Sequence, residues 1–473
     1  MTHALPRPVA PWVGAAGASI ALGAGIALNL QVSFLLVIAF VGVSALAAPA
    51  GAWVLCALVA AMTFRGLVEL NALPSVATFI DLPLAWGALA VALIKRHETS
   101  PLLARHLRWL AVLGLAIFLA WAFHPSEVLR PVLYLALLGE PFAIVGALVA
   151  DPPSPRLRRT LERVLLALLI IQLPLAMLQL ASLGPADHIQ GTLYGAGAGA
   201  HVISAVCVVG AIWILTGGLG RQTLGAARLP IVAGLFLIPL VADAKQVILA
   251  MPAILLASTW KVSRLQFLLR GALVAAAVVA LFTLAPAGNT SQRFIEENQQ
   301  GEGGKEATAR FVWREARADP PAVAFGQGPA ETVSRAAFMT TDLFQGADSP
   351  LSVLDLKPAT FAEEAQGTAV EVSDGGTSFN SGTSSAIGVL GDLGIVGLLA
   401  YTGLLLSLLL RLRWESSPEG VAAAAGFAMF LVLGLVFDWW EQPPFGVFIG
   451  VLAGLSLSKS QYRQAKPELQ DAT

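Results

Sequence analysis

An all-α polytopic membrane protein is the fold class this sequence predicts, and three observations predict it. Of its 473 residues, 56% are hydrophobic and 12% charged, about half the charged share of a soluble domain. Apolar runs recur from one end of the chain to the other, about fourteen in all, many of them near the ~20 residues that cross a bilayer as a helix. One stretch, 287–383, interrupts them; it is polar, rich in Gly, Ser, Thr and acids, and has no run long enough to span. The expected architecture is about 12–14 transmembrane helices with one large extracytoplasmic loop. It divides into an N-terminal transmembrane bundle (1–286), the loop domain (287–383), and C-terminal helices with a cytoplasmic tail (384–473).

The first run, Pro11 to Leu30, has no charged stretch followed by a small-residue cleavage site. It reads as a retained helix, not a signal peptide. Runs at 32–49, 51–64, 79–94, 108–124, 130–150, 162–183, 197–218, 229–241, 246–260 and 267–286 precede the polar stretch; 385–410, 421–437 and 444–458 follow it. Lysine and arginine collect in alternate connections, including IKRHETSPLLARHLR (94–108) and RLRRTLER (156–163), whereas the opposite short connections carry Arg65, Arg130 and Lys245. Basic loops stay in the cytoplasm, so both termini are expected inside and the 287–383 loop outside. Cys56 and Cys207 fall within apolar runs and are too few for a disulfide framework or a metal cluster.

The stretch LVADAKQVILAMP (240–252) places Asp243 and Lys245 inside an apolar run. Basic residues flank 229–260 at both ends, so the chain must turn near Asp243. Each arm then measures roughly 20 Å against a ~30 Å hydrocarbon core, which leaves the turn below the outer surface. An ionisable pair there either neutralises itself or lines a cavity that binds something.

The loop contains ATARFVWREARADPPAVAFGQGP (307–329), which reads as a short helix ended by Pro320 and Pro321 and then a glycine turn. Arg310, Arg314 and Arg317 fall on one helical face, suited either to phosphate or to surface pairing such as Glu306 with Arg310. The loop has no histidine and no cysteine, so the usual zinc site is not available in it. HIQGTLYGAGAGAHVIS (188–204) has alternating glycines that permit close approach. It also places His188 after Asp187 in an outer connection. Asp392 enters a span, where hydrogen bonding to a neighbouring element is a sufficient role. In FDWWEQPPFG (437–446) the two tryptophans suit an interfacial belt, and Asp438 and Glu441 are expected as plain surface acids.

Four of these stretches, in this order, resemble the O-antigen ligase and polysaccharide polymerase superfamily of bacterial envelope glycosyltransferases. The similar residues are the Gly191-Thr192-Leu193 turn, then Lys245 in the span pair before the loop. Arg310, Trp313, Pro320, Pro321, Gly326 and Gly328 follow in the loop, and Gly391, Gly394 and Gly397 in GDLGIVGLL mark the next helix entry. The likeness covers about residues 185–410. It implies a GT-C-like enzyme of the bacterial cytoplasmic membrane that moves saccharide from a polyprenyl-diphosphate carrier with inversion. No metal or other cofactor is implied.

On this likeness Lys245 and Arg310 are catalytic, and His188 is the best-placed imidazole. Arg65, Arg130, Asp243, Arg314, Gln190, Gly191 and Thr192 are substrate-binding. The implied partners are a polyprenyl-diphosphate-linked oligosaccharide, a saccharide or lipid-linked acceptor, membrane lipids, and other polysaccharide assembly and export proteins, with no nucleic acid. SGTSSA (381–386) lacks the histidine that ligases carry there, Gln190 stands where the family has arginine, and Lys245 replaces the usual arginine. These departures favour a polymerase. The rival class, a transporter or lipid-linked saccharide flippase, predicts repeated halves with matching broken helices, and no such symmetry is visible in the sequence; a noncatalytic assembly factor for polysaccharide export is a third reading.

Overall fold

The computed structural model describes residues 48–96, 100–185, 188–194, 199–219, 221–244, 246–248, 250, 254, 304–339, 359, 361–365 and 384–470. The expected spans at 12–30 and 267–286, nearly all of 32–49, most of 246–260, and Lys245 lie outside them. Among the described residues the chain is helix and turn, with no strand. Among the described residues, eight helical segments are long and apolar enough to cross a membrane, and two shorter apolar helices, Gly225–Val241 and Pro443–Lys459, accompany them. The chain is a multi-pass membrane protein.

The helices of the bundle are α1 (Ala50–Glu69), α2 (Asp81–Lys95), α3 (Pro101–Phe123), α4 (Leu129–Ala150), α5 (Pro155–Leu183), α6 (Gly199–Thr216) and α7 (Arg228–Val241). The loop contributes α8 (Gly304–Ala318) and α9 (Pro320–Phe325), and the C-terminal part α10 (Ser385–Leu412), α11 (Pro418–Val436) and α12 (Pro443–Gln470). Hydropathy places α3 and α5 to begin at 108 and 162, but they start at Pro101 and Pro155. Polar first turns carry no hydropathy signal, and a local one sets the start. Ser100, Ser154 and Ser417 each precede a proline, and their hydroxyls accept from Leu103, Leu157 and Gly420 N–H at 3.3, 3.3 and 3.1 Å. Proline at the first helical position costs no hydrogen bond, and the serine satisfies one of the orphan donors.

Helices α4 and α6 form the centre, with 83% and 89% of their most apolar windows buried, against 33% for α3 and α5. Lipid tails are as apolar as leucine, so close packing holds such helices together. Gly139 abuts the Trp86 ring, and Gly446 and Gly450 of α12 lie against Pro141 of α4.

The two ends of the bundle differ in chemistry. At one end, guanidinium groups bind helix carbonyls: Arg96 donates to Val149 O and Ala150 O and Arg228 to Ile214 O and Leu215 O, at helix C-termini, while Arg158 donates to Leu455 O inside α12. These are the last carbonyls of α4 and α6 and a late carbonyl of α12's apolar part; end carbonyls lack helical partners and carry the negative pole of the helix dipole. The other end receives α8 and α9 and is rich in acids. The basic end is the one the charge pattern assigns to the cytoplasm. A reporter active only outside the cytoplasm, fused after residue 340, is expected to be active, and fusions after residues 225 and 415 inactive. Silence at 340 overturns the sidedness.

Candidate functional site

The acidic end is organised by a break in α10. Gly394 has φ of +66° within that helix, a left-handed conformation that glycine adopts without steric cost. Any side chain there would lie 2.3 Å from Ala324 C and O. The break exposes main-chain carbonyls, and the loop uses them: Gln327 N–H donates to Gly391 O at 2.7 Å and Gly328 N–H to Asp392 O at 3.2 Å. Gly326, with φ of +77°, has room for a hydrogen only, because a Cβ would stand 2.2 Å from Asp392 C and O. The glycine turn of the loop and the glycine-rich helix entry, distant in sequence, meet backbone to backbone.

Asp392 completes the joint. Its side chain is fully buried and accepts from Ala330, Glu331 and Thr332 N–H at 3.2, 3.2 and 2.7 Å and from Thr332 Oγ1 at 2.6 Å. The expected hydrogen-bonding role stands, although its partner is the loop main chain and not a helix. Arg130, 2% exposed, donates to Ala330 O at 2.7 Å and pairs with Glu331 at 3.3 Å. Glu441 Oε2 accepts from Ala336 N–H at 2.8 Å. Phe123 stacks on Phe325 with ring centroids 4.3 Å apart, and His124 Nε2 stands 3.3 Å from Asp319 Oδ2.

Two sequence expectations are corrected here. Trp439 and Trp440 do not form an interfacial belt: both are buried, and their indole N–H groups donate to Gln246 Oε1 and Phe430 O, each at 2.9 Å. Asp438 and Glu441 are not plain surface acids. Asp438 pairs with Arg335 at 3.5 Å. Burial pushes the Glu441 carboxyl up to about 8, the Ala336 N–H opposes this, and nearby Asp392 and Asp438 add to it. The Glu331 carboxyl rises to about 7, again through burial; Arg130 opposes the shift, while Asp392 and Glu127 reinforce it.

The Gly191-Thr192 turn is held by two glutamines of α5 that the sequence analysis did not single out. Gln179 Oε1 accepts from Gln190 and Gly191 N–H at 2.9 and 2.8 Å, while Gln172 Oε1 accepts from Thr192 N–H and its amide donates to Thr192 Oγ1, both at 3.0 Å. The Thr192 carbonyl presses on Gly66, whose added Cβ would lie 2.3 Å away. Beside Gly66, Arg65 has a buried Nε without a hydrogen-bond partner and lies within electrostatic reach of Arg335. Two guanidiniums from separate elements thus lie within electrostatic reach of each other.

The remaining predicted residues are dispersed. Arg310 and Arg314 are 60% and 71% exposed, paired with Glu306 and Glu315 at 3.6 and 3.0 Å. Arg317 covers the Trp313 ring at 4.9 Å. The arginine face of α8 is therefore solvent-facing, because Phe311, Val312 and Ala316 take the buried side. His188 is exposed in a turn. Asp243 occupies the turn after α7 with φ of +49°. No protein-family model and no curated protein matches this chain.

Two outcomes follow. Asp392→Ala leaves three main-chain donors buried without an acceptor, at a cost of ~1–3 kcal/mol each; it is expected to speed proteolysis within 320–339 at least ~10-fold without loss of membrane insertion. Glu441 is protonated more readily when folded than its ordinary pKa near 4.3 allows, so its contribution is complete below that value and falls as pH rises toward 8. Hydrogen-exchange protection factors at 330–339, which have the intrinsic base catalysis divided out, are expected to fall between pH 6 and 9, and Glu441→Gln to flatten that dependence.

Proposed function

We propose that this protein is a membrane glycosyltransferase of polysaccharide polymerase type, acting at the acidic end of the bundle on a saccharide carried by a polyprenyl diphosphate. One observation carries the reading: the Arg65 and Arg335 guanidiniums lie within electrostatic reach of each other, and a buried Arg65 N–H has no hydrogen-bond partner among the described residues. Asp438 balances Arg335 and Glu69 lies within electrostatic reach of Arg65, yet the unbonded Arg65 N–H leaves a donor for a further anion, and the guanidinium fork suits phosphate oxygens. The turn after α7 lies at this same end, with Gln246 bonded to Trp439; Lys245, adjacent to Gln246 in sequence, is proposed as a further cation on the resemblance alone.

In the proposed reaction an acceptor hydroxyl attacks the anomeric carbon, the bond from that carbon to the phosphate oxygen breaks, and the polyprenyl diphosphate leaves with the bonding electrons. The hydroxyl proton passes to a base or to water. Negative charge grows on the leaving diphosphate, so preorganised cations stabilise the transition state more than the ground state. Arg130, whose bonds fasten the loop, acts as a positioning residue. His124, whose Nε2 stands 3.3 Å from Asp319 Oδ2 without a hydrogen bond between them, joins His188 as a candidate base, since an imidazole is a common proton acceptor.

Purified protein supplied with a polyprenyl-diphosphate oligosaccharide, and no other acceptor, is expected to lengthen the lipid-linked chain. Arg65→Ala and Lys245→Ala are each expected to lower turnover ~100-fold, the scale of losing one transition-state contact, whereas Arg314→Ala stays within about threefold. Lack of turnover by the unaltered protein, or full activity of both alanine variants, rejects the reading.

A further inference from the structure

The basic end, about 28 Å from Asp392 along α10 at helical rise, contains a small cleft with about 20 Å³ of water-accessible space. Arg105 of α3 and Arg411 of α10 line it, with Ser407, His106, Val145 and Leu408 among its other walls. The two guanidiniums repel each other electrostatically. Neither forms an ion pair or hydrogen bond among the described residues, in contrast to Arg96, Arg158 and Arg228 at the same end, which bind helix carbonyls. The nearby acid, Glu415, lies within electrostatic reach of Arg411 without pairing with it and accepts from Ser456 Oγ at 3.4 Å. His106 Nε2 stands 2.8 Å from Phe142 O; a carbonyl only accepts, so that nitrogen holds the proton and is committed to the helix.

The cleft lies near the ends of two candidate spans, α3 and α10. Arg411 falls in the last turn of α10, Arg105 in the second turn of α3, and just beyond them Trp414 is 68% exposed with Arg413 stacked 4.4 Å from its ring. Exposed tryptophan marks the membrane interface, and basic pockets between spans at that depth hold anionic headgroups. The remaining walls are aliphatic.

We infer that Arg105 and Arg411 together bind a phosphate group, and that its source is the headgroup of an anionic phospholipid in the leaflet at the basic end. The paired cations take the phosphodiester oxygens at the mouth of the cleft, and the glycerol and first acyl carbons lie across its aliphatic rim. A free phosphate ion shares the charge but has nothing to place against those walls. The site is independent of the proposed glycosyl transfer, because it lies at the opposite end of the bundle.

The test is native mass spectrometry of the full-length protein, delipidated and then titrated with phosphatidylglycerol, phosphatidylcholine or inorganic phosphate. Retention of phosphatidylglycerol over phosphatidylcholine is expected, and the double variant Arg105→Gln with Arg411→Gln is expected to lose that preference at least tenfold. Arg108→Gln, an exposed arginine on the same helix, is expected to retain it. An unchanged unfolding midpoint in phosphatidylcholine shows that the double variant is folded. Equal retention by the double variant and the unaltered chain overturns the site, and inorganic phosphate that displaces phosphatidylglycerol at equal concentration overturns the lipid assignment.

Discussion

The carboxylate of Asp392, buried in a broken helix and bonded to three loop N–H groups and one hydroxyl, is the interaction on which the acidic end depends. A charge in that position is stable only if the loop supplies donors, and the loop main chain there is satisfied only if the charge is present. Each side removes the other's desolvation cost. The break at Gly394 makes the exchange possible, since an unbroken helix would spend its carbonyls internally and leave none for Gln327 and Gly328.

From that joint the rest of the acidic end follows in order. Arg130 clamps Ala330 and Glu331 from α4, and Glu441 takes Ala336 N–H from the connection between α11 and α12. This fixes the helical turn at Arg335–Phe338, which brings Arg335 toward Arg65. The convergence of cations is therefore a product of acids and main-chain bonds elsewhere, and the acids were easy to undervalue as surface charge. Arginine at the opposite end plays two roles. Where a helix ends in bare carbonyls it is consumed by them, and where it faces another arginine across a cavity it remains available.

Much of the fold was legible in the sequence, for a physical reason. A bilayer imposes one length and one composition on every spanning element, so the apolar runs at 79–94, 130–150 and 229–241 correspond closely to α2, α4 and α7. Starts at Ser-Pro pairs were equally local, although hydropathy alone passes over them. The glycine turn at 326–328 and the glycine-rich helix entry at 391–397 were visible as separate patterns, and only their contact was not.

The sequence by itself determined the class, most of the described spans, the segregation of basic residues to alternate connections and the existence of a large polar insertion. Those properties depend on side-chain type summed over short windows. Tertiary structure alone decided which charges are spent and which are available. Arg310 and Arg130 look alike in sequence, yet one is 60% exposed on the surface of α8 and the other is buried beneath Ala330. Pairing depends on distances between residues as far apart as Arg130 and Ala330 or Arg335 and Asp438, and Coulomb and hydrogen-bond energies fall off over a few ångströms, a scale that order along the chain does not specify.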